Sequence, residues 1–97
     1  MQYRRSKRFT KSFGKLPSNI QAKAKKALAL FAEQPTYPYH PSLEIKKIKG
    51  RKRNDEVWEG RVDIYYRFTF SILTAEDGEM IVYLRNIGGH DIIPDHA

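Results

Sequence analysis

Residues 57 to 73 read Val-Trp-Glu-Gly-Arg-Val-Asp-Ile-Tyr-Tyr-Arg-Phe-Thr-Phe-Ser-Ile-Leu, and their alternation decides the fold. Even positions carry Trp58, Gly60, Val62, Ile64, Tyr66, Phe68, Phe70 and Ile72, whereas odd positions include Glu59, Arg61, Asp63, Tyr65 and Arg67. Period-two alternation is the signature of antiparallel strands with one face on a core and one toward solvent. The run is longer than a usual strand of about six residues, so a turn near Asp63 and Ile64 divides it into a hairpin. A two-residue turn there puts Arg61 and Arg67 on one outer face. Downstream, Glu76-Asp77-Gly78 supplies the next turn, and residues 80 to 87 are apolar on both parities, as in a central strand covered on two sides.

Upstream the period changes. Pro17 and Ser18 signal a helix start, Ile20, Ala24, Ala27, Leu28 and Phe31 follow at helical spacing, and Pro35 ends the segment. Lys23, Lys25 and Lys26 fall mostly on its opposite side, the solvated face that an amphipathic helix needs. Before it, Thr10 or Ser12 caps a short first helix with Phe13 and Leu16 as its apolar side, limited by Gly14 and Pro17. The basic stretch from Gln2 to Arg8 suits a short edge strand, and residues 35 to 41, with three prolines, form a crossing loop. The predicted architecture is α+β: a short N-terminal strand, then two helices packed on a small twisted antiparallel sheet, in one domain spanning residues 1 to 97.

Charge is distributed unevenly. Residues 1 to 53 hold 15 Lys and Arg against 2 Asp and Glu, and residues 54 to 97 hold 3 against 9, giving +13 and −6 within a net charge of +7. Six of the eight residues from 46 to 53, Lys-Lys-Ile-Lys-Gly-Arg-Lys-Arg, are cationic. Such a field favours a polyanionic partner. The absence of cysteine excludes a disulfide framework, a thiolate nucleophile and a zinc finger, and fits a reducing compartment. The longest apolar run, residues 27 to 32, is too short for a bilayer, so a soluble cytoplasmic protein with no membrane partner is expected. No Gly-rich phosphate loop, His-x-x-x-His pair or dense carboxylate cluster is present, so no metal and no cofactor are expected.

What remains suits cleavage of RNA by its own 2′-hydroxyl, which needs a base, an acid and positive charge at the phosphate. Arg67 can clamp a phosphate through two parallel bonds or act as a cross-strand partner of Glu59 or Asp63. Arg61 has the same two readings. Glu59 is a base if burial raises its pKa, or a surface ion-pair partner. His90, just past the last strand, is an acid or base, or a loop histidine bonded to Asp91. Lys46, Lys47 and Lys49 contact RNA or are solvated, Arg85 supports the site, and His40 binds RNA or caps its loop. Tyr65 and Tyr83 are candidates for base stacking.

Phe13, Leu16-Pro17, the helix from Ile20 to Phe31, His40-Pro-Ser-Leu43, Lys46-Lys47-x-Lys49-Gly50, Val57-Trp58-Glu59-x-Arg61-Val62, Tyr66-Arg67 and Ile87-Gly88-x-His90-Asp91 together resemble the RelE/ParE superfamily of type II toxin–antitoxin toxins over nearly the full chain. The resemblance implies a RelE-like α+β domain neutralised by a cognate antitoxin that brings it to promoter DNA, with no direct DNA contact of its own. In the RelE-like branch it implies a messenger-RNA endoribonuclease acting at the ribosome; in the ParE-like branch, an inhibitor of DNA gyrase. Arg67 resembles the strand arginine placed at the scissile phosphate, Lys46, Lys47 and Lys49 the lysines that hold RNA, His90 the catalytic residue after the last strand, and His40 a histidine used in one branch. The chain departs from several nucleases of the family at residues 94 to 97, Pro-Asp-His-Ala, where they carry a catalytic aromatic. A third reading, a non-catalytic basic module, predicts salt-sensitive binding spread over many cations.

Overall fold

The computed structural model describes residues 2 to 48, 56 to 93 and 97. The elements follow the expected order with one added short strand, β2: β1 (Gln2–Arg5), α1 (Lys7–Gly14), α2 (Ser18–Glu33), a 3-10 turn (Pro41–Leu43), β2 (Lys46–Lys47), β3 (Trp58–Arg61), β4 (Tyr66–Thr74), β5 (Met80–Gly89) and a second 3-10 turn (His90–Ile92). Among the described residues the strands form one five-stranded sheet in the order β1-β5-β4-β3-β2.

β2 to β5 pair antiparallel, as the alternation requires, but β1 joins β5 in parallel, so the sheet is mixed. Parallel pairing needs a crossover, and the two helices supply it. α1 begins earlier than Thr10 or Ser12. The helix-starting cap is Ser6, extended at φ −69° and ψ 159° directly after β1, whose Oγ accepts from the Phe9 N–H at 2.9 Å and donates to the Arg85 carbonyl at 2.7 Å. One hydroxyl both caps α1 and ties it to β5.

The helices pack on one sheet face. Phe9, Leu16, Ile20, Ala24, Ala27 and Phe31 meet Phe68, Phe70, Val82, Leu84 and Ile87 in the main core. Phe31 lies at its centre, 4.6 Å from the Phe70 ring and 5.4 Å from that of Phe68. Gly60 stands opposite Phe68, whose ring fills the place a side chain at 60 would take. The register shifts between Thr69 and Phe70, and the phenylalanines on both sides of the shift remain in the core.

The opposite face is less open than alternation implies. Glu59, Thr69, Ser71 and Asn86 are all buried, and Ile48, Val57, Ile93 and Ala97 form a second small apolar cluster. Arg8 donates to the Ala97 carbonyl at 2.7 Å. No helix among the described residues is long and apolar enough to cross a membrane.

Candidate functional site

The β3–β4 register sets the site. Arg61 lies directly opposite Arg67, and Glu59 opposite Thr69. β3 ends at Arg61 and β4 starts at Tyr66, so the connection is four residues, Val62 to Tyr65, and not two. A two-residue turn would have paired Arg61 with Tyr66 and turned Arg67 to the other face. The Asp63 carboxylate explains the extra length: Oδ1 accepts from the N–H groups of Tyr65 at 2.9 Å and Tyr66 at 2.7 Å, an Asx-type turn that fixes the loop. Lys23 of α2 approaches the other carboxylate oxygen at 3.7 Å.

Burial pushes the Asp63 carboxyl up, but the two backbone N–H bonds and Lys23 outweigh it and hold the group below its ordinary value of 3.8. A carboxyl depressed in the folded state stabilises the fold above its unfolded pKa, and that contribution disappears as pH falls through the folded value. Asp63→Asn is therefore expected to flatten the fall in stability below about pH 4, read by acid titration of the unfolding midpoint. An unchanged acid profile would contradict this account of the loop.

Arg67 caps the same loop from the sheet. Its Nη1 donates to the carbonyls of Asp63 at 2.6 Å and Tyr66 at 3.0 Å, and its Nη2 to that of Ile64 at 3.3 Å. Three of the five guanidinium N–H groups are thus committed to backbone. The Nε–H and a second Nη2 hydrogen remain, on the edge toward Glu59, whose Oε1 is 3.8 Å from Nε. That distance allows attraction without a hydrogen bond.

Glu59 corrects the expectation of a surface glutamate, since only 8% of the residue is exposed. Lys46 lies opposite it on β2 with Nζ 3.9 Å from Oε1. Glu59, Lys46, Arg61 and Arg67, with Glu44, line a polar cleft of about 130 Å3. Arg61 bonds the Glu44 carboxylate and donates from Nε to the Asp63 carbonyl at 3.2 Å. The Arg61 hydrogen bond and charge hold the Glu44 carboxyl below its usual range. Glu44, at φ 44°, occupies the left-handed region unusual for a non-glycine residue.

The remaining candidates lie around this cleft and do not line it. Lys47 pairs with Glu56 at 3.2 Å, and Arg85 Nη1 reaches Ser71 Oγ at 3.4 Å in mid-sheet. His40 caps the turn at Pro41–Leu43, its Nδ1 accepting from the Ser42 N–H at 3.2 Å, in a separate hollow with Tyr37, Tyr39 and Trp58. Lys49 lies outside the described residues, as do Arg51, Lys52, Arg53 and His96. His90 follows Gly89, which pairs with Tyr66; its N–H donates to the Tyr65 carbonyl at 2.8 Å, and its ring meets the Tyr65 ring edge-on at 4.9 Å. The Tyr65 ring also fills the space beside Gly89, where a larger residue would displace it. Glu44 is the member of the cleft that sequence reasoning missed. Its neighbours Leu43 and Ile45 carry the hydrophobic signal there, and no local pattern announces a bond to Arg61, 17 residues away.

No family model matches the sequence, and no curated protein does. Solved structures do match over nearly the whole chain. YafQ from E. coli strain BL21(DE3) superposes with a TM-score of 0.71 at 13% identity, covering 96% of this chain and 97% of its own. A YoeB/ParE toxin from Agrobacterium tumefaciens gives 0.66 at 12% identity over 93% and 99%. The RelB-RelE antitoxin-toxin complex from Methanococcus jannaschii gives 0.61 at 20% identity over 96% of each chain. The likeness is one of fold, reached with few shared residues: the chain has the α+β fold of the RelE/ParE toxins.

Proposed function

We propose that this protein is the toxin of a toxin–antitoxin pair and acts as a metal-independent endoribonuclease on messenger RNA at the ribosome. The observation that carries the reading is the buried Glu59 carboxylate between Lys46 and Arg67, each just under 4 Å away, in a cleft too small and polar for an apolar ligand. The fold shared with toxins captured beside their antitoxins supports the pairing.

In this mechanism the phosphate enters between Lys46 and Arg67, and the two uncommitted N–H groups of Arg67 grip its non-bridging oxygens. Glu59 takes the proton of the 2′-hydroxyl, whose oxygen attacks phosphorus. The bond to the 5′-oxygen breaks, leaving a 2′,3′-cyclic phosphate and a 5′-hydroxyl. Lys46 and Arg67 stabilise charge that builds on the phosphorane. His90, two residues beyond the Gly88 that pairs with Arg67, supplies the proton taken up by the departing 5′-oxygen. Lys47, Lys49, Arg61, Arg85 and His40 contribute positive or hydrogen-bonding surface to the flanking RNA.

Induced expression tests this. Growth should stop with transcripts newly cut, and Glu59→Gln, which keeps shape and removes the base, should slow cutting by about 100-fold or more. Intact transcripts accompanied by DNA damage would overturn the nuclease reading in favour of a gyrase target. Arrest without cuts or damage would leave a binding module.

A further inference from the structure

A second cavity adjoins the cleft on its helix side. It is a groove of about 330 Å3 between α2 and the β3–β4 hairpin. Ala27, Leu30 and Val62 contribute its apolar surface, Lys23, Lys26 and Arg61 its cationic surface, and Asp63 one carboxylate. Arg61 lines both this groove and the Glu59 cleft, so one residue borders the two. Lys23 and Arg61 are already engaged with Asp63 and Glu44. Lys26 is exposed and has no acidic partner among the described residues. This makes Lys26 the cation of the groove with charge to offer a ligand, on a helix whose lysines otherwise read as an ordinary solvated face.

We propose that this groove is a second RNA subsite, holding the nucleotide next to the one whose phosphate reacts; the proposal rests on the nuclease reading above. Its size stands near the lower end of small-ligand pockets, room for one nucleotide rather than a run of peptide side chains. Its chemistry matches a nucleotide: an apolar floor for a base and, in Lys26, an exposed cation without an acidic partner among the described residues for a phosphate.

The test uses the purified full chain and short 2′-O-methyl RNA, which cannot be cut because its nucleophile is blocked. Dinucleotide and pentanucleotide binding are followed by fluorescence anisotropy across a salt series. Wild type should prefer the pentanucleotide. Lys26→Glu should weaken pentanucleotide binding about tenfold and lower its salt slope by about 0.7, the value of one single-strand phosphate contact, with dinucleotide binding unchanged. Arg67→Ala should weaken both. Normal pentanucleotide binding by Lys26→Glu, with Arg67→Ala defective, would overturn the subsite and leave the nuclease reading standing. Failure of wild type to bind either RNA would overturn the subsite, while the nuclease reading is decided separately by transcript cutting in arrested cells. A short Glu/Leu peptide bound by wild type and lost in Lys26→Glu, with RNA binding unaffected, would assign the groove to an acidic protein segment instead.

Discussion

Arg67→Ala is expected to lower RNA cleavage by about 100- to 1,000-fold, the usual cost of removing a donor aimed at charge that develops in the transition state. The guanidinium has two attachments with different consequences. Its bonds to the Asp63, Ile64 and Tyr66 carbonyls hold the hairpin loop, while the edge facing Glu59 is left for a phosphate. The loop is at the surface, with Ile64 81% exposed, so water replaces most of what the carbonyls lose. Stability should fall by only about 1 kcal/mol. The pairing of a large kinetic loss with a small thermal shift is what distinguishes a phosphate clamp from a structural brace. Arg67→Lys sharpens the contrast, since an ammonium restores charge but cannot hold the carbonyls and a phosphate together in a planar fork. It should recover part of the activity. A drop in melting temperature large enough to account for the lost cleavage would instead make Arg67 a brace.

Phe68→Ala should have the largest effect on folding, about 3 to 5 kcal/mol. The ring is wholly buried, touches Phe31 and Phe70, and lies against Gly60 across the β3–β4 pair. Removing it opens a cavity bounded by both layers of the fold, which α2 and the sheet cannot both close. Domains of this size are stable by about 5 to 15 kcal/mol, so the variant loses a large share of its stability. Its melting temperature should fall by about 20 °C, measured by thermal denaturation with circular dichroism. A shift of a few degrees would mean that the helix layer packs on the sheet differently.

How much of this was legible in the sequence depended on the range of the interaction. The even-numbered apolar positions of residues 57 to 73 share a core because strand geometry alone puts them on one face. The helical spacing of Ile20, Ala24, Ala27 and Phe31 works the same way; both sets pack in the core except Ile64, which the hairpin loop carries into solvent. Burial of Glu59 and Ser71 was not legible. It depends on elements distant in sequence, such as the Glu56 carbonyl that accepts from Ser71 Oγ at 2.8 Å. The parallel pairing of β1 was equally hidden, because four residues with every side chain exposed carry no face preference. Ser6 as the cap of α1 is fixed in part from afar, since its hydroxyl also donates to the Arg85 carbonyl at the far end of the chain. At the site, Lys46, Glu59, Arg61 and Arg67 were legible as residue types, and the hairpin register brings them together. The separation of His40, Lys47 and Arg85 from their cleft follows from side-chain directions that one-dimensional spacing does not encode.

If this chain cuts RNA through the RNA's own 2′-hydroxyl, with Glu59 as base and Arg67 on the phosphate, the cut ends carry the signature of that chemistry. The most direct measurement is the chemistry of new ends in transcripts from cells arrested by the wild-type protein. Attack by the 2′-hydroxyl predicts 5′-hydroxyl ends matched by 2′,3′-cyclic phosphates, absent when Glu59→Gln is expressed at the same level. New ends carrying 5′-phosphates, or cyclic ends that persist undiminished in the Glu59→Gln cells, would contradict it.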